Sequence, residues 1–270
     1  PIPSAVMYQN IMRQLRRQKI RRFIAYAAAV FIPIALIIGL FIRINSQVDL
    51  LADGGYDEVY VPNGERMQLL FQDGSKVHLN SGSRIRYPKK FGLSERKVYL
   101  EGEAYFDVKK AKDCPFIVET DRIDVEVLGT RFDVKAYSDE ETVYTTLLTG
   151  SVRIVADGVR DRNVELKPAQ QYSLDRKSRQ QKVEEVDPSL YVAWMDRMFV
   201  FWNQRLEDVM KDLTKWYDVE FVFADEVAAD MRISGNIERS RDLTAVLDMI
   251  TGLRKVEIVQ RDGKYVVRAK

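Results

Sequence analysis

Three patterns of apolar and polar positions follow one another along this chain. The first is an uncharged run from Phe23 to Ile42. At the helical rise, twenty residues span roughly 30 Å, the hydrocarbon thickness of a bilayer. It predicts a single membrane-spanning helix over residues 23–43, with Pro33 tolerated inside it. The second pattern, from about Glu58 to Val186, has period two: Val77/Leu79, Val98/Leu100, Ala104/Phe106/Val108, Ile123/Val125/Val127, Phe132/Val134/Ala136 and Val152/Ile154. Turn signals at Asn63-Gly64, Asp73-Gly74, Asn80-Ser81-Gly82, Gly102, Gly150 and Asp157-Gly158 separate these runs. An all-β domain of many short strands is expected over residues 58–187.

The third pattern begins after Asp187-Pro188 and mixes two periods. Leu206, Val209, Met210, Leu213, Trp216 and Tyr217 share one helical face, and Leu243, Val246, Leu247 and Ile250 share another. Strand-like pieces at Met198–Phe201, Val219–Phe223, Met231–Ile237, Val256–Val259 and Tyr265–Arg268 surround them. The order predicts a β-α-β-β-α-β-β unit over residues 188–270, with both helices on one sheet. Asn203 and Asp242 are the expected N-caps.

Charge sets the orientation of the span. Arg13, Arg16, Arg17, Lys19, Arg21 and Arg22 precede it, whereas only Arg43 follows before Arg66. Basic flanks stay on the cytoplasmic side, so residues 1–22 read as a cytoplasmic stub. Residues 44–57 read as a linker, and everything beyond as exported. A cleaved signal peptide has a shorter apolar core and a small-residue cleavage site, which this segment lacks. With the basic cluster set aside the remaining charge is nearly balanced, which excludes a nucleic-acid groove.

Candidate chemistry is sparse. Cys114 is the single cysteine, so no intrachain disulfide forms. His78 is the single histidine, in the alternating run Lys76-Val77-His78-Leu79-Asn80, where it faces solvent or a partner. One imidazole and no Gly-x-Ser-x-Gly motif remove most hydrolase chemistry that relies on imidazole and most zinc sites. Glu101 and Glu103 around Gly102 read as a charged hairpin bend, and Asp139-Glu140-Glu141 as a solvated loop rather than a calcium site. No cofactor, metal or enzyme activity is expected. Trp194, Phe199, Phe201, Trp202 and Trp216 are expected in the core of the last unit or its joint with the β domain, any exposed member being a partner anchor.

A series of motifs resembles the FecR-like transmembrane regulators of Gram-negative bacteria, especially the Bacteroidetes type. It runs through Phe71-Gln72-Asp73-Gly74-Ser75-Lys76-Val77-His78-Leu79-Asn80 and Arg96-Lys97-Val98-Tyr99-Leu100-Glu101-Gly102-Glu103-Ala104-Tyr105-Phe106-Asp107-Val108. Val127-Leu128-Gly129-Thr130-Arg131-Phe132-Asp133-Val134, Leu148-Thr149-Gly150-Ser151-Val152 and Leu166-Lys167-Pro168-Ala169-Gln170-Gln171 continue it. The last unit is similar to the C-terminal domain of these regulators, a short secretin/TonB N-terminal-like fold. The resemblance implies an anti-sigma relay from a TonB-dependent outer-membrane transporter, whose signalling domain is one partner, to an extracytoplasmic-function sigma factor, the other. The exported part would then be periplasmic and the anchor would lie in the inner membrane. The family's sigma-binding region is longer than the twenty or so residues before the span, so upstream sequence is expected to be missing here.

The resemblance also implies a candidate bond for self-cleavage, Gly129-Thr130, since certain members are processed at a Gly-Thr pair. The residues themselves favour a bulge or tight bend at Gly129 between two strands. Two rival functions are a membrane-anchored periplasmic hydrolase, which needs a cleft of convergent acid, base and nucleophile, and a scaffold that assembles through its last domain.

Overall fold

In the computed structural model the structure describes residues 31–40, 55–157, 163–238, 242–252 and 255–270. The predicted span lies mostly outside the described residues. Within it, residues 31–40 form a helix (α1) whose positions are all exposed, Phe31 and Leu36 at 69% and 68%. Among the described residues no helix is long and apolar enough to cross a membrane.

Residues 51–270 form a compact unit of their own. Its first part is thirteen strands: β1 (Tyr56–Tyr60), β2 (Met67–Leu70), β3 (Lys76–Leu79), β4 (Arg84–Pro88), β5 (Arg96–Asp107), β6 (Phe116–Glu119), β7 (Ile123–Val127), β8 (Arg131–Ala136), β9 (Thr142–Thr149), β10 (Val152–Ala156), β11 (Asn163–Leu166), β12 (Gln170–Asp175) and β13 (Gln181–Glu185). β1 thus begins inside the stretch read as linker. The period-two alternation places Val98, Leu100, Ala104 and Phe106 of β5 inward, with Val125, Phe132, Val134, Leu147, Ile154 and Tyr172 from β7, β8, β9, β10 and β12. Phe106 and Phe132 stack at 5.0 Å between centroids in the middle of this core.

Strand β5 ties two facing sheets into one near-barrel. Its first half pairs with β4 and, in parallel, with β6, while its second half pairs with β3 and β8. The changeover falls at Gly102, with φ +114° and the Ser83 Cα 2.6 Å from where a Cβ would stand. Only glycine fits so close an approach at that backbone angle. The expected hairpin bend at Glu101-Gly102-Glu103 is therefore corrected: the chain runs straight on and changes sheets.

The second part has the predicted order with additions. A short helix α2 (Pro188–Val192) and a 3₁₀ turn at Ala193–Asp196 lead into β14 (Met198–Arg205), α3 (Leu206–Tyr217), β15 (Phe221–Phe223), α4 (Glu226–Asp230), β16 (Arg232–Glu238), α5 (Leu243–Gly252), β17 (Val256–Arg261) and β18 (Lys264–Ala269). The helices do not share one sheet, because β14 pairs only with β16 and the remaining strands form a separate sheet ordered β15-β18-β17. The apolar pattern does not predict α4. Its five residues are too few for an apolar period, and Asp225 caps it through the Ala228 N–H at 2.7 Å. Asp242 caps α5 as expected, accepting from the Ala245 N–H at 2.7 Å. Asn203 does not cap α3, whose N-cap is Arg205. Instead it sits in β14 at φ +49°, in a register shift between Phe201 and Gln204.

Candidate functional site

The outward face of β5, β8 and β9 is polar in sequence, yet it is not open to water. Asp133, Thr146 and Tyr105 are 3%, 1% and 8% exposed, because the second part of the unit lies against this face. Tyr105 and Leu148 pack with Trp194, Phe199 and Val192, joining the two cores across the seam. Arg66 donates to the carbonyls of Trp194 and Met195, Gly64 N–H to the Lys215 carbonyl at 2.8 Å, and Asn63 Nδ2 to Asp218 at 3.0 Å.

Charged groups fill the middle of the seam. Lys135 Nζ, from β8, lies 2.7 Å from Asp212 of α3 and 3.1 Å from Glu140. Lys215 Nζ, also of α3, lies 3.2 Å from both Glu140 and Asp139 and 4.2 Å from the centre of the Tyr137 ring. Trp194 Nε1 donates to Asp133 at 3.3 Å, and Asn80 Nδ2 to Glu103 at 2.6 Å. The loop reading of Asp139-Glu140-Glu141 is corrected at its centre: Asp139 and Glu141 face solvent, but Glu140 bridges two lysines with its side chain 11% exposed.

Burial shapes the protonation of this cluster. It pushes Glu103 up to about 7, helped by Asp212 and Glu140 against the pull of Lys135 and Asn80. Glu103 keeps part of its area at the surface, so the push comes from the crowded carboxylate end. Asp133 is raised well above the usual carboxylate range by burial and by Glu103. Burial alone would lower Lys135, but Asp212, Glu140 and Glu103 outweigh it and hold the ammonium charged.

The singled-out residues fall in separate places. Gly129-Thr130 is a corner where the chain passes from β7 in one sheet to β8 in the other, and Gly150-Ser151 is the return corner packed on it. Thr130 Oγ donates to the Ser151 carbonyl at 2.9 Å, and a Cβ on Gly150 would stand 3.1 Å from the Gly129 carbonyl oxygen. His78 lies edge-on to Tyr105, 5.9 Å between rings. Cys114 is half-buried in a loop whose carbonyl takes two bonds from Arg96. Trp194, Phe199, Phe201 and Trp216 are buried, whereas Trp202 is 79% exposed. Among the described residues no group of three His, Cys, Asp or Glu is placed to hold a metal ion.

The aromatic half of the seam falls where a joint with the β domain is expected for the Trp194 cluster, whereas its charged half is not legible in the sequence. Its signal is an outward strand face carrying Tyr105, Lys135 and Leu148 among the polar positions, too apolar in part for a free surface.

The fold defines a two-part β and α+β protein, a near-barrel with a small unit latched on its side. Comparison with known families matches residues 57–153 to the FecR protein model and residues 198–267 to the FecR C-terminal model. Two crystal structures of a candidate anti-sigma factor from Parabacteroides distasonis ATCC 8503 are similar to it, both with a TM-score of 0.75. One is 30% identical and aligns over 80% of this chain and 100% of its own; the other is 31% identical, over 79% and 99%. A comparison with curated proteins found no match. The chain belongs to the FecR family of anti-sigma signalling proteins. Its role is regulatory and not enzymatic.

Proposed function

We propose that this chain is a single-pass inner-membrane regulator with five parts: residues 1–22 in the cytoplasm, 23–43 in the bilayer, 44–57 as linker with the start of β1 at its end, 58–187 as periplasmic β domain and 188–270 as periplasmic α+β domain. Its periplasmic part binds the signalling domain of a TonB-dependent outer-membrane transporter, and the message passes to an extracytoplasmic-function sigma factor. The apolar α1, exposed at every position, supports the bilayer placement, since such a surface needs a non-aqueous cover.

The observation that carries the docking reading is Trp202. Following buried Phe201, it lies on the outer face of β14 at the start of a register shift, and Asn203 N–H to Ser234 Oγ at 2.8 Å and Arg232 to the Asn203 carbonyl at 2.6 Å fix the bulge beside it. A large aromatic held out on rigid backbone is a ready anchor for a partner protein. The test is titration of the full chain in detergent micelles with a purified transporter signalling domain. Trp202→Ala should weaken binding about 30-fold or more, as loss of a central aromatic does, while thermal melting stays within about 1 °C. Binding that survives this change undiminished would rule out the anchor.

Processing at Gly129-Thr130 belongs to the same proposal. The Thr130 hydroxyl oxygen would attack the Gly129 carbonyl carbon while its proton passes to the leaving amide nitrogen, and water would then hydrolyse the ester. The buried hydroxyl at this corner, already ordered by Ser151, supports it. Intact mass measurement of the purified chain reads the outcome directly: two fragments meeting at this bond, abolished by Thr130→Ala, or one intact mass.

A further inference from the structure

The seam between the β domain and the α+β part holds more acid than base. Four carboxylates, Glu103, Asp133, Glu140 and Asp212, converge on it, and Lys135 and Lys215 are the ammonium groups within reach. Asp139 adds a further carboxylate at the rim. Glu140 and Asp212 each have a lysine within 3.2 Å. By contrast, the hydrogen bonds to Glu103 and Asp133 come from neutral donors, the Asn80 amide and the Trp194 indole, and Lys135 acts on both only through space. Two like charges brought together away from water resist joint ionisation.

We propose that this seam is a proton-operated latch: Glu103 and Asp133 let the α+β part sit closed on the β domain while they retain a proton, and the latch loosens as the surroundings turn alkaline. The inference rests on the fold and its seam and stands apart from the identity of any partner.

The groups facing the pair come from every element around it. Asn80 approaches from the loop after β3, Lys135 from β8, Tyr137 and Glu140 from the loop after it, and Asp212 from α3. Trp194 of the 3₁₀ turn faces Asp133, and Lys215 faces Glu140. Asp208 of α3 and Tyr144 of β9 feel Lys135 from farther out. Tyr105 lies beside Asp133 with Arg131 and Asp107, and His78 beyond it is held below its usual value by burial and Lys76. None of these lowers Glu103 enough to undo its burial.

The direction follows from linkage. A carboxyl raised in the closed form and ordinary in the open form favours closure fully below the ordinary range, and loses that contribution as pH climbs to the raised value. For Glu103 the window runs from its usual 4.5 to about 7. If opening restores the usual value, the open-to-closed ratio rises by roughly 70-fold between about pH 5 and pH 8, with Asp133 adding in the same direction.

The experiment follows the indole N–H of Trp194 by NMR in the full chain in detergent micelles. Its exchange with deuterium is compared at each pH with that of free tryptophan, which removes the chemical pH dependence. Closure protects this hydrogen, so its protection should fall about 70-fold or more from pH 5 to pH 8. Glu103→Gln is neutral at every pH and should cut that fall by at least tenfold. Asp133→Asn keeps an acceptor for the indole and serves as the second variant, with a flattened profile expected too. Protection that is flat with pH in the unaltered chain overturns the latch, and so does an unreduced fall in both variants.

Discussion

Single residues carry several of the decisive constraints. Gly102 is one, because a Cβ there would meet the Ser83 backbone at 2.6 Å and φ is +114°. Gly102→Ala should cost roughly 3–5 kcal/mol, read as a lowered denaturation midpoint with unchanged slope. Lys135 is another, since Lys135→Met removes the cation between Asp212, Glu140 and Glu103. Breaking a buried pair from one side costs roughly 3–5 kcal/mol, and here the penalty should be largest above neutral pH and shrink on acidification as the stranded carboxylates take up protons. Urea melts at pH 5 and pH 8 check both the size and the slope. Legibility at this scale was uneven. Inward positions such as Val98, Phe106 and Phe132 could be read from alternation, because one buried face repeats every second residue. Asp133, Lys135 and Glu140 could not, because a polar side chain facing water and one facing a second domain obey the same alternation.

Secondary elements show where local and long-range information part. The α3 face of Leu206, Val209, Met210, Leu213 and Trp216 is buried as its period implies, and Phe199 packs on Trp216 with centroids 5.0 Å apart. Trp216→Ala should cost roughly 3–5 kcal/mol and loosen the seam with it, since Trp216 belongs to the core that reaches Tyr105. Thermal melting monitored by both near- and far-UV dichroism measures this. Asn203 resembled a helix cap by residue type, yet β14 runs on to Arg205 and uses Asn203 at positive φ for a bulge. Pairing between β14 and β16, which settles this, spans distant segments that no local window contains. The split into two sheets escaped the sequence for the same reason. Strand order along the chain does not reveal which strands pair.

At the scale of the whole molecule, the two parts of residues 51–270 form one body through the Tyr105, Trp194 and Lys135 seam, with Trp202 exposed on the outer face of β14. That arrangement leaves Trp202 exposed for the partner proposed above, and no step of the proposal needs bond chemistry at an external substrate. A scaffold or a hydrolase would leave transcription untouched. The central claim is that this chain, as an anti-sigma signalling protein, governs a defined set of transcripts. Its most direct test is transcript profiling of cells before and after removal of the chain, and again after it is restored. A discrete group of transcripts that shifts on removal and returns with the intact chain, but responds no longer to the inducing signal with Trp202→Ala, is the predicted result. An unchanged profile on removal would contradict it.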